Sequence, residues 1–392
     1  MSNHRLSDAA NRLIELPFYK VMARANELEK EGKKIIHLEI GEPDFATPDH
    51  ITKAGVDSIL RGETKYVASA GLRELRGAIA KKTKEMYGFL PSVDQILVTP
   101  GGMANIYLLI RAVVNPGDEI IVPSPGFSTY NSVAAFTGAK AVFVPLKEKN
   151  GFQPEPRDIE KLVTKKTKLI IIDSPSNPTG AMLNKDRAER LAKLVKKYNL
   201  YLLTDEVYNQ LSYDRAPYSP AVFDKCKERT IILHGFSKTY AMTGWRVGYS
   251  VGPEPVIAKM ITILQLMLGS MPPFVQMAAL AALEGDQKLI KKRIATYKVR
   301  RKAIVEGLNS LPGVSCVMPD GAFYAFPNIK KTRMSSEEFA LMALEEAGVA
   351  LVPGSNFGEY GEGYVRICYS TSMGNIKTAI KNLKDALKKR NA

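Results

Sequence analysis

Seven short runs of mostly apolar residues punctuate the middle of the chain. They are rich in Ile, Val and Leu without strict alternation of apolar and polar positions, which is typical of strands buried on both faces of a sheet. The segments between several of them are long enough for helices. The runs are Ile96–Thr99, Glu119–Val122, Ala141–Val144, Leu169–Ile172, Leu200–Thr204, Thr230–Leu233 and Val247–Val251. The pattern predicts an α/β fold whose mostly parallel seven-stranded sheet is flanked by helices.

The two ends of the chain have a different pattern. Residues 1–48 are typical of a helix followed by a loop that contains Gly41 and two prolines. The residues after 284 are typical of a long basic helix, two or three short strands and a final helix. We therefore predict a large domain over residues 49–284 and a smaller α+β domain made of residues 1–48 and 285–392.

Polar and glycine-bearing segments directly follow five of the apolar runs. In open α/β sheets, ligands bind outside the carboxyl ends of the strands, so we expect these segments to converge on one site. The segments are Pro100–Met103, Pro123–Phe127, Ser174–Gly180, Asp205–Glu206 and Gly235–Lys238.

Composition changes this picture little. The chain has 392 residues, of which 45% are apolar, so disorder and collagen-like repeats are excluded. Its 55 Lys and Arg against 40 Asp and Glu give a formal net charge of +15, which suggests a nucleic acid or a membrane surface as partner. The basic residues are interspersed with apolar and acidic ones, which favours solvated helix faces instead. We expect neither a nucleic-acid partner nor a membrane.

The cysteines and the apolar segments bear on the compartment. Three widely separated cysteines, Cys226, Cys316 and Cys368, make a disulfide framework implausible and favour a reducing compartment. The N-terminus lacks an apolar signal core, and the apolar region 261–283 is interrupted by two glutamines and a Pro-Pro pair. We expect a cytoplasmic protein. The four histidines show no metal-ligand spacing, so we expect no metal site.

Common nucleotide-binding and hydrolase motifs are absent from the sequence. No predicted strand is followed by G-x-G-x-x-G, Lys238 lacks the preceding glycines of a P-loop, and no G-x-S-x-G occurs. Lys238 instead follows a buried strand with Arg246 nearby, and a neighbouring cation lowers the pKa of an amine and makes it more nucleophilic. A solvated lysine is the ordinary alternative.

Two further polar residues lie at predicted strand ends. Asp205 is either a helix cap or half of a buried salt bridge, or it faces a cationic ring nitrogen. Asn177 lies in a Pro-rich turn and offers both donor and acceptor groups. The backbone of Gly102 and Met103 precedes a predicted helix over residues 105–114, so its N–H groups could hold a phosphate.

Three motifs together identify a family. They are S-N-P-T-G at residues 176–180, D-E-V-Y at residues 205–208 and S-K-T-Y-A-M-T-G-W-R at residues 237–246. With them, the chain resembles, over nearly its whole length, the class I and II aminotransferases, which are pyridoxal 5′-phosphate (PLP) enzymes. The resemblance implies that PLP is the cofactor.

The resemblance also implies roles for the polar residues. Lys238 would bind the cofactor as a Schiff base and move the proton between the amino acid and the cofactor. Asp205 would keep the pyridine nitrogen protonated, which strengthens the ring as an electron sink. Asn177 and Tyr208 would hydrogen-bond the phenolic oxygen of the cofactor.

The remaining cofactor contacts are implied in the same way. Ser237, Arg246 and the backbone of Gly102 and Met103 would bind the phosphate, for which the fork of donors on arginine is well suited. Phe127 would stack on the ring, although an aromatic residue in such a loop is as often part of a core.

Substrate and subunit contacts complete the set. Arg366 matches the family arginine that pairs with the substrate α-carboxylate; a surface arginine is the ordinary alternative. Gly41 and Asn177 would lie against the substrate. Tyr66 matches a tyrosine that reaches the phosphate of the neighbouring subunit, so a homodimer with shared active sites is implied. Some relatives that prefer dicarboxylates have a lysine where this chain has Met103, and the donor stays open between aspartate, aromatic and broad-range amino acids.

We therefore expect transfer of the amino group of an L-amino acid to a 2-oxo acid, with 2-oxoglutarate as the expected acceptor. The cofactor-binding residues alone do not exclude another reaction on this scaffold, such as a β-elimination lyase or a cyclising synthase. A more remote alternative, suggested by the net charge, is a nucleic-acid-binding protein that keeps the fold as a ligand sensor.

Overall fold

A computed structural model describes residues 6–13 and 18–391 of the chain. Its strands are β1 Ile36–His37, β2 Ile96–Thr99, β3 Glu119–Ser124, β4 Lys140–Pro145, β5 Thr167–Asp173, β6 Tyr201–Asp205, β7 Thr230–Gly235, β8 Gly248–Val251, β9 Tyr324–Ala325, β10 Val349–Ala350, β11 Val352–Pro353 and β12 Val365–Cys368. Each of the seven predicted runs therefore forms a strand, β2 to β8, with ends that differ from the prediction by a few residues.

Helices connect and cover these strands. They are α1 Asp8–Asn11, α2 Phe18–Lys30, α3 Asp49–Leu60, α4 Arg73–Tyr87, α5 Gly102–Val113, α6 Thr129–Thr137, α7 Pro156–Glu160, α8 Lys185–Lys197, α9 Ala221–Asp224, α10 Glu254–Leu268, α11 Pro273–Glu284, α12 Lys288–Asn309, α13 Ser336–Glu345 and α14 Met373–Asn391. Short 3₁₀ helices lie at Val93–Gln95, Glu148–Asn150, Lys330–Thr332, Gly354–Phe357 and Glu359–Gly361.

Strands β2 to β8 form one seven-stranded sheet with the order β2-β8-β7-β6-β5-β3-β4. Strand β8 is antiparallel to both of its neighbours, and the other pairs are parallel. The expectation of a mostly parallel sheet flanked by helices is confirmed.

The central strand β5 shows why the runs do not alternate. Leu169 and Ile171 pack into one hydrophobic cluster, and Ile170 and Ile172 pack into another, with each of these side chains at most 1% exposed. Helices cover both faces of the sheet, so the four successive positions Leu169–Ile172 are all apolar. Helix α8 contributes Leu191 and its neighbours to the second cluster, as its spacing of apolar residues predicts.

Two smaller sheets involve the ends of the chain. Strands β11, β12 and β9 form an antiparallel sheet, and β1 pairs in parallel with β10. Leu38 beside β1 packs in one cluster with side chains of α12, α13 and α14. The N-terminal segment is thus joined to the C-terminal part. The domain boundaries at 48 and 284 stay a prediction, and residues 1–5, 14–17 and 392 lie outside the described residues.

One predicted boundary is wrong. Helix α5 begins at Gly102, three residues before the predicted start at 105. Gly101 precedes the helix with φ +80°, a left-handed backbone that glycine adopts without the strain of a Cβ. The amides of Gly102 and Met103 therefore belong to the first turn of α5, where backbone N–H groups have no partner within the helix.

The described helices include none that is both long and apolar enough to cross a membrane. All three cysteines are buried and free.

Candidate active site

A cavity of about 340 Å³ lies at the carboxyl ends of the central strands. Its walls come from the loops that follow β2, β3, β5, β6 and β7, from the loop after β1 and from the C-terminal part of the chain. Every predicted site residue except Tyr66 lines it. These residues are Gly41, Gly102, Met103, Phe127, Asn177, Asp205, Tyr208, Ser237, Lys238, Arg246 and Arg366.

Lys238 follows β7 and points its amine into this cavity. Its Nζ donates a hydrogen bond to the carbonyl oxygen of Gly41 at 2.5 Å. The pKa of Lys238 is lowered to about 8, mainly by burial; Cys368 and Glu42 oppose this shift, and the positive charges of Arg366 and Arg246 add to it. The sequence suggested a neighbouring cation as the cause, and the structure adds burial as the larger one. The alternative of a solvated lysine is wrong.

Asp205 ends β6 and is 6% exposed. Its carboxylate accepts hydrogen bonds from the Tyr130 hydroxyl at 2.8 Å and from the Val207 amide at 3.3 Å. Burial raises the pKa of Asp205 to about 6, and these hydrogen bonds limit the rise. Neither partner is a cation, so a buried carboxylate at the cavity wall has neutral partners only and suits a cationic ligand atom.

Arg366 lies on β12 and is 6% exposed, so the alternative of a surface arginine is wrong. Its Nη1 donates to Oδ1 of Asn177 at 3.1 Å, and its Nη2 donates to the backbone carbonyl of Glu39. The guanidinium lies 4.7 Å from the ring centre of Tyr324 and 5.1 Å from that of Phe357. Two aromatic rings and two acceptors thus hold a buried cation at the cavity.

The start of α5 and Arg246 form a pocket for an anion. The guanidinium of Arg246 lies directly against Gly101, in the space that a Cβ at residue 101 would take. Arg246 Nη1 donates to the Thr243 carbonyl at 2.9 Å. The unpaired amides at the start of a helix and a guanidinium together are a typical phosphate site.

Two of the predicted aromatic residues, Phe127 and Tyr208, line the cavity. Phe127 packs edge to face against Tyr130, with ring centres 5.6 Å apart. The Tyr208 hydroxyl is 2.7 Å from the Tyr324 hydroxyl. Tyr130 and Tyr324 also line the cavity.

Tyr66 is 89% exposed and lies away from the residues that line the cavity. The next residue, Val67, donates its amide to the Ser270 hydroxyl at 3.3 Å, just after three exposed apolar residues at the end of α10. These are Leu266, Met267 and Leu268, which are 85%, 56% and 47% exposed.

Sequence reasoning missed Tyr130, Tyr324 and Asp173. Asp173 ends β5 and lines the cavity; its carboxylate accepts the Asn177 amide at 2.8 Å, and burial raises its pKa to about 7. Its place directly before the Ser174–Gly180 segment was a usable signal. Tyr130 in α6 and Tyr324 in β9 have no local signal, because each faces the cavity only through the packing of its element.

The charged groups fit PLP. An amine with a lowered pKa suits an aldehyde, and a buried carboxylate with neutral partners suits a protonated ring nitrogen. The Gly101 cradle beside Arg246 suits a phosphate. Lys238, Asp205 and the α5 terminus therefore match the three reactive or charged ends of that molecule.

Comparison with known proteins gives a consistent result. A sequence profile of the family described as aminotransferase class I and II matches residues 33–383. The chain is 40% identical over 370 residues to an aspartate aminotransferase of Pyrococcus horikoshii. The aligned region covers 94% of this chain and 93% of that protein. It is 40% identical over 360 residues to aromatic-amino-acid aminotransferase 2 of Thermococcus litoralis, with 91% and 92% covered.

The solved structure of an aspartate aminotransferase from Thermus thermophilus with maleate superposes on this chain with a TM-score of 0.94. The two sequences are 34% identical, and 98% of this chain and 100% of that chain are covered.

We predict that the Lys238 amine of cofactor-free protein titrates near pH 8. Below that pH the amine is protonated and unreactive, and above it the amine is neutral, because burial disfavours the charged form. The rate at which a small acylating reagent modifies the Lys238 peptide, followed by mass spectrometry, should reach half its maximum near pH 8. A half-maximum at pH 10 or above would contradict the prediction.

Proposed function

The chain belongs to the class I and II aminotransferases, and we propose which part of the reaction each of its site residues performs. It is a PLP-dependent enzyme that moves the amino group of an amino acid to a 2-oxo acid. When bound, PLP supplies an aldehyde that takes up the amino group and a ring that withdraws electrons from the amino acid Cα. The observation that best supports these roles is that Lys238, Asp205 and Arg366 line one cavity.

Lys238 is the proposed general base and acid. Its amine accepts the proton that leaves Cα of the amino acid and holds it for return. A group that exchanges protons works best when its pKa lies near the working pH. The pKa of Lys238 near 8 supports this role.

Asp205 is the proposed partner of the pyridine nitrogen, and Tyr130 positions it. The Tyr130 hydroxyl donates to the carboxylate at 2.8 Å and thereby opposes the rise in the pKa of Asp205 that burial causes. An ionised Asp205 is needed to hold a proton on the ring nitrogen. Asn177 and Tyr208 are the proposed partners of the phenolic oxygen, and Phe127 packs on the ring.

The cavity has two proposed sites for anions, one for the cofactor phosphate and one for the substrate carboxylate. Arg246, Ser237 and the first turn of α5, at Gly102 and Met103, are the proposed ligands of the phosphate. Arg366 is the proposed ligand of the substrate α-carboxylate, beside Asn177 and the Gly41 loop. The rings of Tyr324 and Phe357 pack against the Arg366 guanidinium and limit its movement, which supports a forked, two-point contact with a carboxylate.

The first half of the reaction tests this division of work. We expect the holoenzyme mixed with an L-amino acid alone to release one equivalent of 2-oxo acid and to keep the amino group on its cofactor. We expect Lys238→Ala to lower the rate by roughly 10²- to 10⁴-fold, the usual contribution of a general base. For the unaltered enzyme and for Lys238→Ala, the reaction is measured by the absorbance of the cofactor and by an assay for the released 2-oxo acid. Release of pyruvate and ammonia would favour a β-elimination lyase, and an unimpaired Lys238→Ala variant would contradict the role of Lys238.

A homodimer with shared active sites is part of the proposal. Tyr66 is 89% exposed, and the nearby end of α10 presents three apolar side chains to solvent. Exposed apolar patches mark interaction sites. A second copy that covers this patch would bury these apolar side chains and bring Tyr66 to the partner's phosphate.

Mixed dimers test the shared site. Tyr66→Ala and Arg246→Ala protein should each bind PLP weakly alone. Mixing the two lets some dimers combine both intact residues in one site, because the two come from different subunits. Each mixed dimer has one intact site and one site that lacks both residues, and random exchange of subunits makes about half of the dimers mixed. We therefore expect about a quarter of all sites in an equimolar mixture to regain PLP binding, measured by equilibrium dialysis. A mixture no better than the mean of its components would contradict a shared site.

The donor is proposed to be an amino acid with an uncharged side chain, aromatic ones included. The lysine and arginine residues among the described residues that line the cavity are Lys238, Arg246 and Arg366, and each already has a proposed partner. A distal carboxylate would meet no further cation of this chain and would share the cavity with Glu42. One relative is named for aromatic amino acids. The acceptor is proposed to be 2-oxoglutarate.

A donor panel tests this choice. With 2-oxoglutarate as acceptor, we expect kcat/KM for phenylalanine or leucine to exceed that for aspartate by at least about tenfold, since an unpaired charge in such a site costs more than 1.4 kcal/mol. Met103→Lys, which adds a cation to the wall, should narrow the gap. The proposed donor class is wrong if aspartate is the best donor of the unaltered enzyme.

The three free buried cysteines support the expected cytoplasmic location, which stays a prediction.

A further inference from the structure

Tyr324 contacts three of the residues that the sequence assigned to the site. It lies in β9 and is 1% exposed. Its hydroxyl is 2.7 Å from the Tyr208 hydroxyl, and its ring centre is 4.7 Å from the guanidinium carbon of Arg366. A Cβ at residue 41 would collide with the same hydroxyl, so the Gly41 loop lies directly against it.

The hydroxyl and the ring of Tyr324 have different partners. A phenol has one proton to donate, so in the Tyr208–Tyr324 pair only one hydroxyl donates to the other. Burial raises the pKa of Tyr324 to about 12, and the Arg366 cation beside its ring acts in the opposite direction. Arg366 lowers the pKa of both phenols, and either hydroxyl can donate to the other. In the arrangement where Tyr324 donates, the proton of Tyr208 is free for a third oxygen in the cavity.

We propose that Tyr324 is a positioning residue that aims the Tyr208 hydroxyl at the cofactor and holds the Arg366 guanidinium in position for the substrate carboxylate. The inference rests on the proposed function, which assigns Tyr208 to the phenolic oxygen and Arg366 to the carboxylate. The two effects have separate origins in one side chain. The hydroxyl acts through Tyr208, and the ring acts through Arg366.

Cofactor affinity tests the first effect without any turnover. The sole tryptophan, Trp245, adjoins Arg246 and can report the cofactor-bound fraction by its fluorescence when the holoenzyme is diluted in series. We expect Tyr324→Phe to raise Kd for PLP roughly 2- to 12-fold, the usual value of one hydrogen bond. In a Tyr208→Phe background the same change should raise Kd less than about 2-fold, because residues that act through one contact are not additive.

A matched control uses another tyrosine pair. Tyr369 is fully buried, and its hydroxyl bonds to the Tyr213 hydroxyl at 3.3 Å, but neither residue lines the cavity. Tyr369→Phe should leave Kd within about 2-fold, while any general effect of losing a buried hydroxyl would appear in it. A Tyr369→Phe effect as large as that of Tyr324→Phe would overturn the first effect.

Substrate kinetics test the second effect. Tyr324→Phe keeps the ring and should leave KM for the amino acid within about 2-fold. Tyr324→Leu removes the ring and should raise KM roughly 5- to 30-fold, the value of a buried cation–π contact, with a smaller change in kcat. Circular dichroism and thermal unfolding establish that the leucine variant folds, and Tyr324→Met replaces it if it does not. Equal KM values for the phenylalanine and leucine variants would overturn the second effect.

The variants also separate this inference from the proposed function. A normal Kd in Tyr208→Phe would remove Tyr208 from the phenolic oxygen and overturn both. A raised Kd in Tyr208→Phe with a normal Kd in Tyr324→Phe would overturn the role of the Tyr324 hydroxyl alone. Equal effects of Tyr324→Phe in both backgrounds would show that the hydroxyl acts without Tyr208, and would overturn the coupling.

Discussion

Burial of opposite charges around one cavity is the constraint on which the rest of this structure depends. A lysine, a carboxylate and two arginines line this cavity, and two of them, Asp205 and Arg366, are each 6% exposed. An unpaired charge that is buried in this way is costly. Lys238 lowers that cost by losing its proton more readily, with a pKa near 8, and Asp205 lowers it by holding its proton more tightly, with a pKa near 6. The same perturbations make both groups useful for moving and holding protons.

The fold supplies these charges from separated parts of the chain and holds each one from its own side. The sheet places Asp205 and Lys238 at the carboxyl ends of adjacent parallel strands, β6 and β7. Arg366 comes from β12, which belongs to a different sheet. Its guanidinium donates hydrogen bonds to Asn177 and to the carbonyl of Glu39, and these bonds hold it at the site. The cavity therefore exists only where the large sheet meets the C-terminal part of the chain. The cofactor end and the carboxylate end of the site are built by different elements.

Tyrosines make the connections between these elements. Tyr130 ties α6 to Asp205, and Tyr324 lies between Tyr208, Arg366 and the Gly41 loop. A phenol suits such places because its ring packs in an apolar wall and its hydroxyl still satisfies a buried polar partner. The net charge of +15 has little part in this, since Lys238, Arg246 and Arg366 are the only lysines and arginines among the described residues that line the cavity.

The sequence by itself determined the sheet, its mostly parallel character and most of the cavity. The central positions of strands buried on both faces are apolar, and polar residues at or just after the carboxyl ends of such strands lie at the sheet edge. The positions of Asp205, Asn177 and Lys238 were therefore predictable from local pattern, and their roles were implied by the family resemblance. Arg366 and Gly41 were found only through a family resemblance. Tyr130, Tyr324 and the start of α5 at Gly102 were decided by the tertiary structure. Their contacts join residues that are far apart in the chain. The local pattern of apolar and polar residues does not specify which distant side chains come into contact when the chain folds.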